Sequence, residues 1–166
     1  MACNQADSQS FQLQELHMQD TDIRLAQVED FDQWGVLWRS YLAFYGEPED
    51  AQISQTTWQR FIDGKEPMHA FVAVRGGQVV GFAHLIGHRS TWSQKDRLYL
   101  NDLFVAQAHR QNGVARQLLE YARHFATSNN YEWLYWTTRE GNATARTLYD
   151  QVASRTDFVQ YRVFID

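Results

Sequence analysis

The sequence predicts a mixed α/β fold, with a mostly antiparallel central sheet and helices on both faces, and three observations carry that expectation. Two strand-like runs, Met68 to Arg75 and Gln78 to His88, are joined by Gly76-Gly77, a pair suited to a two-residue hairpin with positive φ angles. Apolar residues recur at helical spacing in several further stretches. Beyond residue 97 strands and helices alternate, so the sheet is mixed and helices cross it.

In chain order, Asp22 to Gln27 alternates polar and apolar residues and reads as a first strand. Phe31, Trp34, Leu37, Trp38, Tyr41 and Phe44 or Tyr45 mark a helix closed by Gly46-Glu47-Pro48. A shorter helix follows, with Ser54 expected as its cap, Trp58, Phe61 and Ile62 on one face, and Gly64 at its end before Pro67. After the hairpin, a polar loop through Ser90, Ser93 and Lys95 leads to a largely buried strand, Arg97 to Ala106. A long helix is expected from about Gly113 to Ser128, with Val114, Leu118, Leu119, Tyr121, Ala122 and Phe125 facing inward and Asn129-Asn130 ending it. Tyr131 to Arg139 reads as a strand, Asn142 to about Val152 as a helix, and Phe158 to Ile165 as a closing strand.

At 166 residues and 44% hydrophobic, the chain suits one filled core and is short for two independent domains. Residues 1–20 are expected as a flexible tail and 21–166 as the domain. The tail lacks the basic start and apolar core of a secretory signal, and no apolar run approaches the roughly 20 residues that span a bilayer. Neither membrane nor secretion is therefore expected, and the lone thiol, Cys3, fits a reducing cytoplasm. A formal charge of −5 disfavours a nucleic-acid partner and mildly favours a cationic small molecule. His88, His109 and His124 show no metal-ligand spacing, so no metal is expected. No glycine-rich dinucleotide fingerprint, P-loop or nucleophile-elbow serine occurs.

The chemistry points to one segment. After the strand ending at Val105, the run Arg110-Gln111-Asn112-Gly113-Val114-Ala115-Arg116 opens the long helix. A strand, a short turn and a helix start present backbone N–H groups backed by the helix dipole, a site suited to a pyrophosphate. Gly113 lacks a β-carbon that would hold a phosphate off, Ala115 is small, and Arg110 and Arg116 can add charge-assisted bonds.

Arg110, Gly113 and Ala115 resemble the Arg/Gln-x-x-Gly-x-Gly/Ala signature of the GNAT superfamily of N-acetyltransferases, and Tyr99 to Val105 resembles its preceding strand. Asn142-Ala143-Thr144-Ala145-Arg146-Thr147-Leu148-Tyr149 is similar to the family's Asn-x-x-Ala-x-x-Leu/Phe-Tyr helix, and Phe158 to Arg162 is similar to its closing strand. Within the superfamily the chain looks nearest the branch of Hpa-type and polyamine acetyltransferases. The resemblance implies a splayed central strand, with backbone groups of Leu103, Phe104 and Val105 pairing with the pantetheine arm of acetyl-CoA and one N–H facing the thioester carbonyl. It further implies that Arg110, Gln111, Asn112, Gly113, Val114, Ala115 and Arg116 hold the pyrophosphate, that Asn142 contacts the cofactor, and that Tyr149 sits by the sulfur.

The implied reaction is direct acetyl transfer to a primary amine, either a small molecule or a peptide amine. A phenol stays protonated at neutral pH, so Tyr149 is the expected acid toward the leaving thiolate. Asn142 reads equally as a plain helix N-cap. The base is open. Polyamine-type relatives often carry glutamate where Asn101 stands, and an amide takes no proton. Asp102 is the nearest carboxylate, yet strand alternation turns it to the face opposite Asn101 unless a bulge intervenes, and His84 on the hairpin is the other candidate. Trp38, Tyr41, Phe44, Tyr45 and Trp92, with Glu47, Glu49 and Asp50, could cage a cation, although packing explains the helical aromatics more simply. Two further readings stay open: a regulatory module that binds acyl-CoA without turnover, and an acetyltransferase of lysines in protein or histone tails. The resemblance also allows a homodimer.

Overall fold

A computed structural model of the chain describes residues 21–165; the tail expected over 1–20, with Cys3, lies outside them. The described residues fall into two compact units, one ending at Trp136 and the other beginning at Thr137.

The first unit is built on a five-stranded sheet in sequential order, β1 (Asp22–Leu25), β2 (Met68–Arg75), β3 (Gln78–His88), β4 (Arg97–Val105) and β5 (Leu134–Tyr135). The first four strands pair antiparallel, and β4 pairs parallel with β5 only at Leu98–Leu134 and Tyr99–Tyr135. Gly76 and Gly77 both have positive φ, so the β2–β3 hairpin is as tight as their dipeptide implies.

Helices α1 (Phe31–Tyr45) and α2 (Ala51–Asp63) cover one face of the sheet, and α3 (Val114–Ser128) covers the other. Strand alternation decides which residue meets which helix. On β2, Phe71 packs edge-on against Tyr121 and Phe125 of α3, while its neighbour Val72 joins Trp34, Leu37, Trp58, Val79, Phe82 and Phe104 in the cluster under α1 and α2. Gly81 permits a close crossing. A β-carbon there would lie 2.9 Å from the Phe104 carbonyl oxygen, closer than such contacts allow, so β3 and β4 approach only because the residue is glycine.

The observed start of α2 differs from the expected one. Asp50 caps it, its carboxylate accepting from the Gln52 and Ile53 N–H groups at 2.8 and 3.0 Å. Ser54 lies one turn inside, where its hydroxyl accepts from Trp38 Nε1 at 3.1 Å and donates to the Asp50 carbonyl. The cap sits earlier because the carboxylate at residue 50 reaches two amides at once.

The strand expected over Tyr131–Arg139 shrinks to Leu134–Tyr135, since its ladder with β4 extends no further. In the second unit, α4 (Ala143–Val152) forms where its periodicity places it. Residues 158–165 form no strand ladder, contrary to the expectation from their alternation. A strand is held by its neighbours' backbone groups, and this segment makes no such ladder among the described residues.

Candidate active site

Three features converge on β4. The first is a bulge. The β3–β4 register passes from His84–Asp102 to Leu85–Leu100, leaving Asn101 without an opposite residue. An extra residue offsets the pleat locally, so Asn101 and Asp102, adjacent in sequence, both line one cavity under α1 and α2. Asp102 is thus a cavity residue, which simple alternation argues against.

That cavity has a volume of about 170 Å³ and is walled by Trp38, Thr57, Phe61, Met68 and Ile86, with His84, Asn101 and Asp102 at its polar end. The Asp102 carboxylate accepts from His84 Nδ1 at 2.9 Å, from the Tyr41 hydroxyl at 2.7 Å and from the Asn101 amide at 2.9 Å. Trp34 Nε1, which can only donate, lies 2.9 Å from His84 Nε2. The tautomer follows from this chain: His84 accepts at Nε2, carries its proton on Nδ1, and is neutral. Both ring nitrogens are therefore engaged, and the base role expected for His84 has no nitrogen with which to act.

Burial raises the pKa of the Asp102 carboxyl, but the hydrogen bonds from His84, Asn101 and Tyr41 outweigh it and hold the group below its ordinary value. Tyr41 moves the other way. Burial first, then the Asp102 charge and their hydrogen bond, push its phenol far up, so it remains a donor at any physiological pH. The site thus keeps an ionised carboxylate beside a mostly apolar pocket.

The second feature is an open edge. Beyond Tyr99, β4 runs on to Val105 with no strand of the first unit on its outer side. Ala106 N donates to Val80 O at 2.9 Å, so antiparallel alternation aims the backbone of Val105 and Leu103 away from β3 and that of Phe104 toward it. Arg110 Nε agrees with this, donating to the outward Val105 carbonyl at 3.0 Å. Of the three residues expected to pair with a pantetheine arm, Leu103 and Val105 present backbone groups outward. The Phe104 backbone is turned to β3 and its ring belongs to the core.

The third feature is the start of α3. Gly113 caps it at φ 76°, a left-handed conformation that favours glycine, and Gln111 also has positive φ. The first intrahelical bond is Gln117 N to Gly113 O, so the N–H groups of Val114 and Ala115 precede the helical ladder and point out of its end. A β-carbon on Gly113 would meet only Gln117 Nε2, at 3.9 Å, so the space before this turn is open. Asn112 is held by Arg75, which donates to its carbonyl at 3.1 Å. The Arg110 guanidinium lies 5.4 Å from the Phe104 ring centre. An open strand edge leading into an open helix N-terminus fits an extended molecule that ends in a diphosphate, as coenzyme A does.

In the second unit, Asn142 is the N-cap of α4, accepting from Ala145 N at 3.4 Å, so the capping role read from the sequence is present. Tyr149 is on the same helix about two turns on, a spacing that returns to the same face.

The aromatic cage weighed from the sequence divides. Trp38 lines the cavity and Tyr41 holds Asp102, whereas Phe44 and Trp92 are exposed, Asp50 caps α2, and Glu49 pairs with Arg39. The hydrogen-bonding roles of Trp34 and Tyr41 were missed, since helical spacing marks Trp34 as core and Tyr41 as core or part of a cation cage. The signal was their polar atoms: a buried indole N–H or phenol requires a partner. Among the described residues no His, Cys, Asp and Glu group could hold a metal, and no helix is long and apolar enough to cross a membrane.

The fold and this strand-centred site define an acyl-transfer protein, and residues 32–153 match the acetyltransferase (GNAT) family. The chain belongs to that family and is an N-acetyltransferase, a transferase acting on amino groups. It is 32% identical over 142 residues to the D-amino-acid N-acetyltransferase HPA3 of Saccharomyces cerevisiae, covering 84% of this chain and 88% of that protein. It is 31% identical, also over 142 residues, to the uncharacterized N-acetyltransferase YhfO of Bacillus subtilis, covering 95% of that protein. Among solved structures, a probable acetyltransferase superposes with a TM-score of 0.79 at 27% identity, covering 87% of this chain and 98% of the other. The same fold is seen in AAC(6')-Iy in complex with the bisubstrate analog CoA-S-monomethyl-acetylneamine, with a TM-score of 0.76 at 19% identity over 88% of this chain and 99% of that one.

Proposed function

We propose that the chain transfers the acetyl group of acetyl-CoA directly to a small primary amine held in the cavity beside Asp102. The observation that carries this reading is that β4 serves all three parts of the site. Its bulge turns Asp102 into the cavity, its outer edge at Leu103 and Val105 pairs with no strand of the first unit, and its end leads into the Gly113 turn.

Acetyl-CoA supplies an acyl group on a thioester, whose thiol is already a fair leaving group. The segment Arg110 to Arg116 would hold its diphosphate, and Leu103 and Val105 its pantetheine arm. An outward strand N–H stabilises the negative charge that develops on the acyl oxygen. The family resemblance is what names the Tyr149 phenol as proton donor to the departing sulfur.

Asp102 is an anchor in this reading and not the base. Moving a proton from a lysine-like ammonium, of pKa about 10.4, to a carboxyl below about 3.9 is uphill by roughly 9 kcal/mol. The carboxylate instead accepts an N–H of the uncharged amine, which leaves the lone pair to attack. As the new C–N bond forms, the nitrogen becomes positive, and the same carboxylate stabilises it more strongly than in the ground state. The ammonium proton is lost to water before the amine is engaged. After attack the positive nitrogen gives its extra proton to water as the thiolate leaves, which balances the proton that Tyr149 gives to the sulfur and regains from solvent.

At about 170 Å³ the cavity is smaller than the roughly 300–1,000 Å³ of sites for drug-sized ligands, which favours a compact acceptor or the amine end of a longer one. The yeast relative's name makes D-amino acids the first acceptors to test. Aliphatic amines come next, because among the described residues no Lys or Arg lines the cavity to pair a substrate carboxylate. Release of free thiol from acetyl-CoA with D-amino acids, polyamines, aliphatic amines and lysine peptides tests the proposal. Amine-dependent release is the expected result. Coenzyme binding with silence toward every amine would mean an acyl-CoA-binding module, and turnover confined to peptides would mean a protein acetyltransferase.

A further inference from the structure

The cavity beside Asp102 has a neighbour. A groove of about 580 Å³ runs between the end of β1 and the end of α2, and Phe61 and Met68 line both hollows. The partition is thin. The Phe61 ring centre lies 4.5 Å from that of His84, so one aromatic ring separates the polar end of the cavity from the groove. On the sheet, Met68 stands opposite Ile86 and Ala70 opposite His84, and each pair sets a residue of the groove beside one of the cavity on the same face. Small residues leave the space. Ala26 N donates to the Ala70 carbonyl at 2.8 Å where β1 ends, and Gly64, which closes α2, carries no side chain to fill the hollow.

The lining sets the chemistry of what fits. Leu25, Val28 and Ile62 join Phe61 and Met68 as apolar walls, and Val28 is 66% exposed although it faces this hollow. Among the described residues that line it, Glu29 is the only carboxylate and no Lys or Arg occurs, so an anionic group finds no partner there. His69 is kept toward its neutral form by burial. We propose that the groove binds the non-reacting end of the acceptor, an unbranched alkyl chain whose amine sits beside Asp102. This assignment rests on acetyl transfer to an amine in that cavity. The groove falls within the roughly 300–1,000 Å³ of ligand sites, which the cavity alone does not reach. Met68 suits the passage between them, because an unbranched thioether changes rotamer readily and packs against whatever chain passes it.

Acetylation kinetics across unbranched primary amines from propylamine to octylamine, with methyl NMR of the full chain, test this. The value of kcat/KM is expected to rise about two- to fourfold for each methylene that enters the groove. Octylamine is expected to shift the methyl signals of Leu25, Val28 and Ile62, and propylamine is not. Val28→Asp, at an exposed position, should lower kcat/KM for octylamine by about tenfold and leave propylamine unchanged. The NMR readout needs no turnover, so the two readings fail separately. Groove shifts with no acetylation of any amine uphold the binding site and overturn acetyl transfer alone. Octylamine turnover with silent groove methyls, or at the same rate after Val28→Asp, overturns the groove. Equal shifts by octanol overturn its link to the cavity, since a chain without an amine then binds as well. A preference for a diamine of the same length overturns the apolar reading in favour of a second ammonium at Glu29. Contacts from residues 1–20 to Val28 that octylamine does not displace overturn it in favour of the chain's own N-terminal segment.

Discussion

The Asp102 carboxylate and the His84 imidazole meet at 2.9 Å, and because Trp34 donates to the other ring nitrogen, the proton between them belongs to His84. This pair gives the site a fixed negative charge and leaves no imidazole nitrogen for proton transfer. The first prediction follows from that charge. Asp102→Asn is expected to lower kcat/KM for the amine by about 100- to 1,000-fold, the magnitude seen when a transition-state electrostatic partner is removed. Coenzyme affinity should stay within about threefold. Steady-state kinetics and calorimetry with coenzyme A check both; an equal loss in the two would place Asp102 in coenzyme binding.

The pH dependence of the reaction separates an anchor from a base. With neither His84 nor Asp102 taking the proton, kcat/KM should track the uncharged fraction of the acceptor. It should rise about tenfold per pH unit until the acceptor's own pKa, with no break near 6.5. Two acceptors of different pKa, compared over pH 6 to 10, test this. A shared break near neutrality, independent of the acceptor, would restore a protein base.

Trp34→Phe removes the donor to His84 Nε2 and leaves a buried acceptor without its partner. The expected cost is about 1–3 kcal/mol of stability, read from urea unfolding. Nitrogen NMR of the native protein should show the His84 proton on Nδ1.

Tyr41 ties the same network to alkaline stability. Its folded pKa is raised, chiefly by burial and then by Asp102, whereas the unfolded phenol ionises near 10. Below pH 10 both states keep the proton and stability is unaffected. Above it only the unfolded chain ionises, so stability falls as pH rises. Tyr41→Phe should flatten that fall, measured as thermal unfolding between pH 8 and 11. The same fall in both proteins would exclude Tyr41 as its source.

Gly113 and Tyr149 should separate binding from turnover. Valine at residue 113 forces a β-branched side chain into φ 76°, at a strain of about 1–3 kcal/mol, and intrudes on the open turn. The expected result is at least a tenfold loss of coenzyme affinity. Tyr149→Phe should instead lower kcat with little change in that affinity.

What was legible in the sequence was local. The Gly76-Gly77 hairpin, the glycine ends of α1 and α2, the Gly113 turn and the Asn142 cap each depend on a few adjacent residues and on φ angles that few residue types adopt. The family pattern was legible for the same reason, since a helix N-terminus that cradles a diphosphate is a contiguous motif. Non-local contacts had no such signature. The bulge at Asn101 exists only relative to the register of β3, so alternation alone sends Asp102 to the wrong face. Trp34, His84 and Asp102 lie far apart in the chain, and only packing of α1 on the sheet connects them into one hydrogen-bonded line. Residues 158–165 show the converse. Their alternation specifies a strand, but a strand needs a neighbour, and whether one is present is decided by tertiary or quaternary structure.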